Sequence, residues 1–562
     1  MSTIGFGDAA NPDVAAPLDM LLVDAAGTWS SGLRRFGETI ALTRKIVVKP
    51  AAVGRRTFEL ARELGRIAVG SSNLTPNPRD RRFADPAWSG NQLLRRVVQA
   101  YLAGARSVEE LMADVGLSND ERLRLVVSNF VDAMAPSNNP FLNPAAWKEA
   151  IDTGGSSVAR GARAFVSDMV ASPRVPKMVE PDAFTVGRDL AVTPGHVVAR
   201  APLYEVIQYA PQTERVRATP LLIVPPTINK YYIIDLAPQR SLVEFLVKQG
   251  QQVFVISWRN PDARFRDQGL DAYGTAVIES LAAVRRICRS AQANLMAACS
   301  GGIISAMLMA HLARTRSRSV NSFTLLVTLL DQSHAGVAAA FANEVTARAA
   351  IAASARQGYL DGRSLAEVFA WLRPNDLVWN YWVNNYLLGR KPPPFDILFW
   401  NSDTTRMTAR LHHDFLRLAM ANALAVPGKA TMLGTRVDLS RVKVDSYVLA
   451  GIADHICPWQ ACYRSATLLG GPVRFVLSTN GHIAAIVNPV DNVKSSFRTG
   501  GDLNSDPDRW ASEAEMRSGS WWLDYASWLD VRSGEEGPAP KEVGAAGFNS
   551  REAAPGTYVF DH

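Results

Sequence analysis

The 562-residue sequence contains little cysteine and no long apolar run. Its four cysteines are too few for a disulfide framework in a chain of this length. No apolar stretch reaches the roughly 18 to 20 residues that a membrane-spanning helix requires, so we expect no transmembrane segment. The first residues show no basic region followed by an apolar one. We therefore expect no signal peptide and a reducing, cytoplasmic environment.

Common cofactor-binding motifs are also missing. The sequence has no G-x-G-x-x-G, no P-loop and no H-E-x-x-H. His455, Cys457 and Cys462 lie close together but match no common zinc spacing. We therefore expect neither a metal nor a bound cofactor. The pair His412-His413 is expected on an exposed helix.

The composition is that of an ordinary globular enzyme, with 47% hydrophobic and 20% charged residues and a formal net charge of +7. The positive excess is concentrated in residues 31–70, which hold nine basic and three acidic side chains. Such a segment could face nucleic acid, an anionic surface or a polyanionic small molecule, or could be a solvated helical face. Charge alone does not decide between these alternatives.

The pattern of apolar residues predicts three regions. Residues 1–30 lack periodicity and are expected to be mobile, whereas residues 31–185 have a mainly helical pattern. Residues 186–562 alternate short apolar runs with helical patterns, which predicts a parallel sheet with crossover helices. An insertion at about 330–440 resembles a cap over this sheet. The candidate strands are Pro220–Val224, Gln252–Ser257, Ala293–Ala297, Ser322–Thr328, Val444–Leu449 and Val473–Leu477.

A candidate nucleophile, Cys299, lies between a predicted strand and a predicted helix. A strand, a sharp turn that bears a nucleophile and then a helix form the nucleophile elbow of the α/β-hydrolase fold. The turn requires small residues two positions before and two after the nucleophile, which here are Ala297 and Gly301. Alanine replaces the usual first glycine. We therefore predict an α/β fold, an α/β-hydrolase domain with a cap insertion, preceded by a mainly helical N-terminal domain.

The expected partners of Cys299 follow in the order acid and then histidine, each just after a strand. Asp454 follows the strand predicted at Val444–Leu449, and His482 follows the strand predicted at Val473–Leu477. His482 would act as the base and Asp454 would orient its ring. His455 is a rival base, although a structural role is expected for it.

An oxyanion hole for this nucleophile would need two backbone donors. One is the N–H of Ser300, the residue after the nucleophile. The second is expected in the loop after the strand at Pro220–Val224. Because the two prolines that follow have no N–H, Thr227 and Ile228 are the candidates.

A cysteine at an elbow that usually carries serine points to acyl transfer. Attack of a thiolate on a thioester yields another thioester, so the acyl group stays activated. A serine would give an oxyester and lose that driving force. Cys299 therefore favours transfer from an acyl-thioester donor over hydrolysis, provided that water is excluded.

Several motifs together resemble polyhydroxyalkanoate synthases. The resemblance runs from about Asp80 to the Gly556-Thr-Tyr-Val motif and is closest to the single-subunit, medium-chain-length group known as class II. Its motifs are Ala298-Cys-Ser-Gly-Gly, Val224-Pro-Pro-Thr-Ile-Asn-Lys-Tyr-Tyr, Ile256-Ser-Trp-Arg-Asn-Pro, Arg373-Pro-Asn-Asp-Leu-Val-Trp-Asn-Tyr-Trp, Pro394-Phe-Asp-Ile-Leu-Phe-Trp-Asn, Ala453-Asp-His-Ile-Cys-Pro-Trp and Ser478-Thr-Asn-Gly-His-Ile.

The resemblance implies polymerisation of (R)-3-hydroxyacyl-CoA into polyester with release of CoA, at the surface of cytoplasmic granules. It places the family's catalytic Cys, Asp and His at Cys299, Asp454 and His482. It also implies a homodimer formed through the cap, contacts with granule-associated proteins, and no metal or redox cofactor. The alternatives are a thioesterase or polyester depolymerase of the same fold, and a non-catalytic granule-coating or nucleic-acid-binding protein. The complete triad speaks against the non-catalytic alternative, so we expect no nucleic-acid partner.

Overall fold

A computed structural model describes residues 49–117, 121–170, 173–333, 344–503 and 506–562. The described chain folds into two compact units. One unit contains residues 49–180 and 366–393, and the other contains residues 181–365 and 394–562. The segment expected to be mobile, 1–30, and residues 31–48 of the basic segment lie outside the described residues.

The first unit is helical, as the apolar periodicity indicates. Asparagine side chains begin two of its helices: Asn91 Oδ1 accepts from the N–H groups of Leu93 and Leu94, and Asn143 caps the next but one in the same way. Within the described ranges, the α-helices of this unit are α1 Pro50–Ala68, α2 Ala87–Gly90, α3 Gln92–Asp114, α4 Glu121–Ala133, α5 Pro144–Asp152 and α6 Ser156–Val170.

Part of the basic segment is neutralised within this unit. Arg56 on α1 pairs with Glu59 and, across the helix pair, with Glu110 and Asp114 on α3. Arg55 bonds to the same Asp114 carboxylate at 2.7 Å. These arginines therefore help to join α1 to α3, and they do not form a purely solvated face.

Residues 366–393 contribute aromatic side chains to the helical unit, although the sequence pattern placed them inside the cap. Trp382 and Tyr386 both contact Phe165 of α6 edge to face, with ring centroids 5.8 and 5.4 Å apart. Trp379 packs against Trp382 at 5.8 Å. These rings form part of the packing of the unit. The domain boundaries drawn from the sequence stay a prediction.

The second unit is built on a ten-stranded sheet. The order of the strands is β1-β2-β4-β3-β5-β6-β7-β8-β9-β10. All six strands predicted from the sequence are present, and they form the parallel centre β3 to β8. The strands are β1 Gly195–Ala201, β2 Tyr204–Tyr209, β3 Leu221–Val224, β4 Val253–Trp258, β5 Ala293–Ala298, β6 Val320–Leu326, β7 Asp445–Gly451, β8 Val473–Ser478, β9 Ser496–Thr499 and β10 Glu515–Ser518.

Antiparallel strands flank this centre on both sides, β1 and β2 at one edge and β9 and β10 at the other. Apolar residues predominate in the parallel strands because helices cover both faces of such a sheet. Within the described ranges, the helices of this unit are α7 Leu242–Lys248, α8 Leu270–Ile287, α9 Cys299–Arg314, α10 Glu344–Gln357, α11 Gly362–Leu372 (which continues into the helical unit), α12 Asp396–Ser402, α13 Ala409–Met420, α14 Trp459–Thr467, α15 His482–Ile486, α16 Pro507–Glu513 and α17 Trp521–Asp530.

The expectation that His412 lies on an exposed surface is wrong. His412 is on α13 and is fully buried, and its Nδ1 lies 2.7 Å from Ser354 Oγ on α10. His413, its neighbour, is partly exposed and contacts Asp414. The two histidines differ because consecutive residues point in different directions around the helix, and only His412 lies on its buried face. Among the helices within the described ranges, none combines the length and apolar character needed to cross a bilayer.

A glycine on α6 tests the packing of residues 366–393. A Cβ atom at Gly161 would overlap the backbone carbonyl of Tyr386, and a backbone atom cannot rotate away. We expect Gly161→Ala to lower the free energy of unfolding by about 2 kcal/mol or more, measured by urea denaturation followed by tryptophan fluorescence. Gly104→Ala on α3 is the matched control, because a Cβ there meets no atom within 4 Å. It should be neutral or stabilising by up to about 1 kcal/mol, and equal effects at both glycines would contradict the packing.

Candidate active site

The backbone turns sharply at Cys299, where β5 ends and α9 begins. Ala298 is extended, with φ −121° and ψ 138°, whereas Cys299 has φ +49°. A positive φ costs a residue with a Cβ roughly 1 to 3 kcal/mol and persists only where the surroundings enforce it. The turn places the Cys299 side chain at the carboxyl edge of the parallel strands, ahead of the first turn of a helix.

Two glycines allow this turn to pack closely on its neighbours. A Cβ at Gly301 would overlap the carbonyl oxygen of Pro225, beyond β3, and one at Gly302 would overlap the Thr328 side chain, beyond β6. Ala297, by contrast, is buried within the sheet, where it pairs with Val224 and Leu325. The sheet therefore accommodates the methyl group of alanine at this position.

Asp454 follows β7 and is held by hydrogen bonds at both oxygens. Its Oδ1 accepts from the N–H groups of Ile456 and Cys457, each at 2.8 Å. Its Oδ2 lies 2.7 Å from Nδ1 of His482. The carboxylate therefore has a fixed orientation, and it fixes the ring of His482 in turn.

His482 begins α15, directly after the loop that follows β8. Burial alone lowers the pKa of His482, but the Asp454 carboxylate and the hydrogen bond to Cys299 outweigh burial and raise the pKa to about 10. The structure thus brings together Cys299, Asp454 and His482, three residues far apart in sequence. An imidazole held in this way can accept the proton of a thiol, and the thiolate is the form in which cysteine is nucleophilic.

The partner of Asp454 is His482 and not the adjacent His455. His455 is half-buried, whereas His482 is nearly fully buried and takes the carboxylate. The structural role expected for His455 stays a prediction.

Cys457 lies beside the triad, and the sequence analysis did not assign it a role. Its thiol donates to the carbonyl oxygen of Val327 at 3.1 Å, and burial raises its pKa. Asp454, Cys457 and His482 bring possible ligand atoms within 4.8 Å of one another. A metal would need a thiolate and a free carboxylate. Here the carboxylate already accepts three hydrogen bonds and the thiol is favoured, so the cluster suits a hydrogen-bonded triad better than a metal site.

The candidate oxyanion donors occupy different environments. The Thr227 N–H donates to Ser300 Oγ at 2.9 Å, and the Thr227 hydroxyl donates to the same oxygen at 3.0 Å. The Ile228 N–H donates no hydrogen bond to any residue within the described ranges. The Ser300 N–H lies in the first turn of α9, where no preceding turn supplies an acceptor. Sequence reasoning found both loops but not the role of the Ser300 side chain.

The sheet order and the strand–nucleophile–helix turn define an α/β-hydrolase domain, and a family model confirms it. The model described as "alpha/beta hydrolase fold" matches residues 220–489. A second model, "Poly-beta-hydroxybutyrate polymerase (PhaC) N-terminus", matches residues 79–246.

Curated relatives align over nearly the whole chain. Poly(3-hydroxyalkanoate) polymerase 1 of Ectopseudomonas oleovorans is 44% identical over 94% of this chain and 96% of its own. Polymerase 2 of the same organism is 46% identical over 92% of this chain and 93% of its own. The poly(3-hydroxyalkanoate) polymerase subunit PhaC of Cupriavidus necator is 41% identical over 88% of this chain and 85% of its own. The chain belongs to the poly(3-hydroxyalkanoate) polymerase family.

The protonation of His482 can be tested without any substrate. In Asp454→Asn the carboxylate is lost, so burial should lower the pKa of His482 and the ring should become a weaker acceptor for the proton of the Cys299 thiol. We expect alkylation of Cys299 by iodoacetamide at neutral pH to slow by about tenfold or more. The modified residue is identified by mass spectrometry, and Cys288, whose pKa burial raises to about 12, serves as the slow internal reference. Unchanged alkylation of Cys299 would contradict the assigned charge state.

The same shift predicts the pH dependence of stability. Because the pKa of His482 is raised, its protonated form favours the folded state fully below its ordinary value of 6.5, and this contribution is lost as pH rises through about 10. Stability measured by urea denaturation should therefore fall over this range, and the fall should be shallower in Asp454→Asn. An equal slope in both proteins would contradict the assignment.

Proposed function

We propose that this chain polymerises (R)-3-hydroxyacyl-CoA into polyhydroxyalkanoate with release of CoA, through a covalent thioester on Cys299. The observation that carries the proposal is a cysteine at the nucleophile elbow, beside a buried Asp454–His482 pair. The extended identity to poly(3-hydroxyalkanoate) polymerases supports the choice of acyl transfer over other reactions of this fold.

The first half-reaction loads the enzyme. The Cys299 thiolate attacks the carbonyl carbon of the substrate thioester, and the C=O electron pair moves to the oxygen. Backbone N–H groups of Ser300 and of Thr227 or Ile228 would stabilise that oxyanion. The intermediate then collapses, the bond to the CoA sulfur breaks, and protonated His482 gives its proton to the leaving thiolate.

The second half-reaction extends the chain. His482, now neutral, would accept the proton of the 3-hydroxyl group of an incoming monomer, and the oxygen of that hydroxyl group would attack the thioester on Cys299. A C–O ester bond forms, the C–S bond to Cys299 breaks, and the Cys299 sulfur takes up the proton. Asp454 holds Nδ1 of the ring, so Nε2 faces the reacting groups and the developing imidazolium is stabilised. No metal and no redox cofactor is needed for any of these steps.

The principal test replaces the nucleophile. Cys299→Ala should abolish CoA release from (R)-3-hydroxyacyl-CoA, because no thioester can form on the enzyme. CoA is followed with a thiol reagent, and polymer length by chromatography on the same samples. Cys288→Ala is the matched control, because Cys288 lies at the end of α8 and outside the triad, and it should retain wild-type release.

The products distinguish this function from its alternatives. Polymer as the main product of short- and medium-chain substrates supports the proposal. Free hydroxy acid as the main product would instead indicate a thioesterase or depolymerase. CoA release retained in Cys299→Ala would remove the triad assignment.

The proposed function includes a location in the cell and an oligomeric state. The family resemblance supports a homodimer, a location at the surface of cytoplasmic polyester granules and contacts with granule-associated proteins. We propose that the basic segment 31–70 contributes to this attachment, although Arg55 and Arg56 are partly engaged by Asp114. Deletion of residues 31–48 should weaken attachment to isolated granules at low ionic strength, where the attraction of these charges is least screened. Unaltered attachment would refute a role for that part of the segment, and the molar mass from light scattering tests the dimer.

A further inference from the structure

The loop that follows β3 carries the two candidates for the second oxyanion donor, and only one of these two amides is available. Thr227 directs both its N–H and its hydroxyl to Ser300 Oγ, at 2.9 and 3.0 Å. Ile228, the next residue, leaves its N–H without an acceptor in the described part of the chain. An amide that already donates to a buried oxygen cannot also donate to a substrate without breaking that bond.

We propose that the Ser300 side chain is a positioning residue: it holds Thr227 and thereby presents the Ile228 N–H as the second oxyanion donor. This inference rests on the proposed function and adds a role for a hydroxyl next to the nucleophile. Ser300 then serves twice, because its own N–H is the first donor and its Oγ fixes the loop that supplies the second.

The contacts around the loop support this assignment. Ser300 and Thr227 are both buried, so water does not compete for their hydrogen bonds. Thr405 Oγ1 donates to the Thr227 carbonyl oxygen at 3.4 Å, which holds the other face of the same residue. The Gly301 backbone lies so close to Pro225 that no Cβ fits between them. The elbow and the loop are therefore in direct contact.

The far end of the loop is also held. Lys230 donates from Nζ to the carbonyl oxygen of Asp561 at 2.5 Å, and its own carbonyl oxygen accepts from Trp400 Nε1 at 2.7 Å. Asn229 lies between Thr227 and Lys230. Its φ is +63°, in the left-handed region that residues with a Cβ adopt less readily than glycine. Ile228 lies between Thr227 and this turn, so loss of the Ser300 contact would free one side of the peptide that carries the donor.

The test is Ser300→Ala, compared with Ser305→Ala. Ser305 lies on the same helix and is fully buried, and its hydroxyl has no hydrogen-bond partner in the described residues. Loss of an oxyanion donor typically lowers kcat by about 10² to 10³. Displacement of a donor should cost less, so we expect kcat for CoA release to fall by about tenfold to a hundredfold in Ser300→Ala, with KM little changed. Ser305→Ala should retain the wild-type kcat.

Two CoA analogues separate positioning from a general structural effect. A trifluoromethyl ketone analogue of the thioester forms a tetrahedral adduct with Cys299 and places an oxyanion in the hole. A CoA thioether without the carbonyl binds but forms no oxyanion. Ser300→Ala should weaken the ketone by the same factor as kcat falls and leave the Kd of the thioether unchanged. Equal weakening of both analogues, or no weakening of the ketone, would overturn the proposal.

A double substitution provides a second check if Ser300→Ala lowers stability. Thr227→Val keeps the amide but removes the hydroxyl that donates to Ser300 Oγ. Because both changes remove the same hydroxyl contact, the double variant should lose less kcat than the product of the two single losses. Multiplicative losses would contradict the contact. A wild-type enzyme that releases no CoA would refute the proposed function, and the affinity for the ketone would still test the role of Ser300.

Discussion

The left-handed backbone at Cys299 is the constraint on which the site depends. With φ at +49°, the chain leaves β5 and enters α9 within one residue, so the sulfur stands at the sheet edge and the first helical N–H groups face the same space. Such a turn needs neighbours without bulk. Gly301 and Gly302 meet that need, because a Cβ at either position would overlap atoms beyond β3 or β6. The strained conformation and the close packing therefore enforce each other.

The loop that carries Asp454, after β7, is connected to the turn at Cys299. The Cys457 N–H bonds Asp454 Oδ1, and the Cys457 thiol bonds the carbonyl oxygen of Val327, which has φ +42°. Thr328, the next residue, is the side chain that abuts Gly302. A short chain of contacts thus links the carboxylate to the elbow. The position of the acid relative to the nucleophile follows from the ends of two neighbouring strands, β6 and β7, rather than from a flexible loop.

The sequence could predict the parts that depend on local pattern. The six parallel strands are short and mainly apolar because both of their faces are covered, and the elbow has a recognisable spacing. The antiparallel strands were not predicted, since polar residues such as Glu205 and Gln208 interrupt their pattern although they are buried. The grouping of residues 366–393 with the helical unit, the burial of His412 and the hydrogen bonds of Ser300 depend on contacts between distant residues. No periodicity encodes such contacts.

In the proposed mechanism, a buried thiol would allow one site to favour transfer over hydrolysis. An acyl group on Cys299 would remain a thioester, so water and a hydroxyl group of a substrate would compete for it with similar driving force. The choice must therefore come from access. Asp454 and His482 are each 6% exposed and Cys299 is 7% exposed, which leaves little room for bulk water beside the acyl carbon. Exclusion of water and retention of the thioester thus act together, and neither alone would permit repeated chain extension.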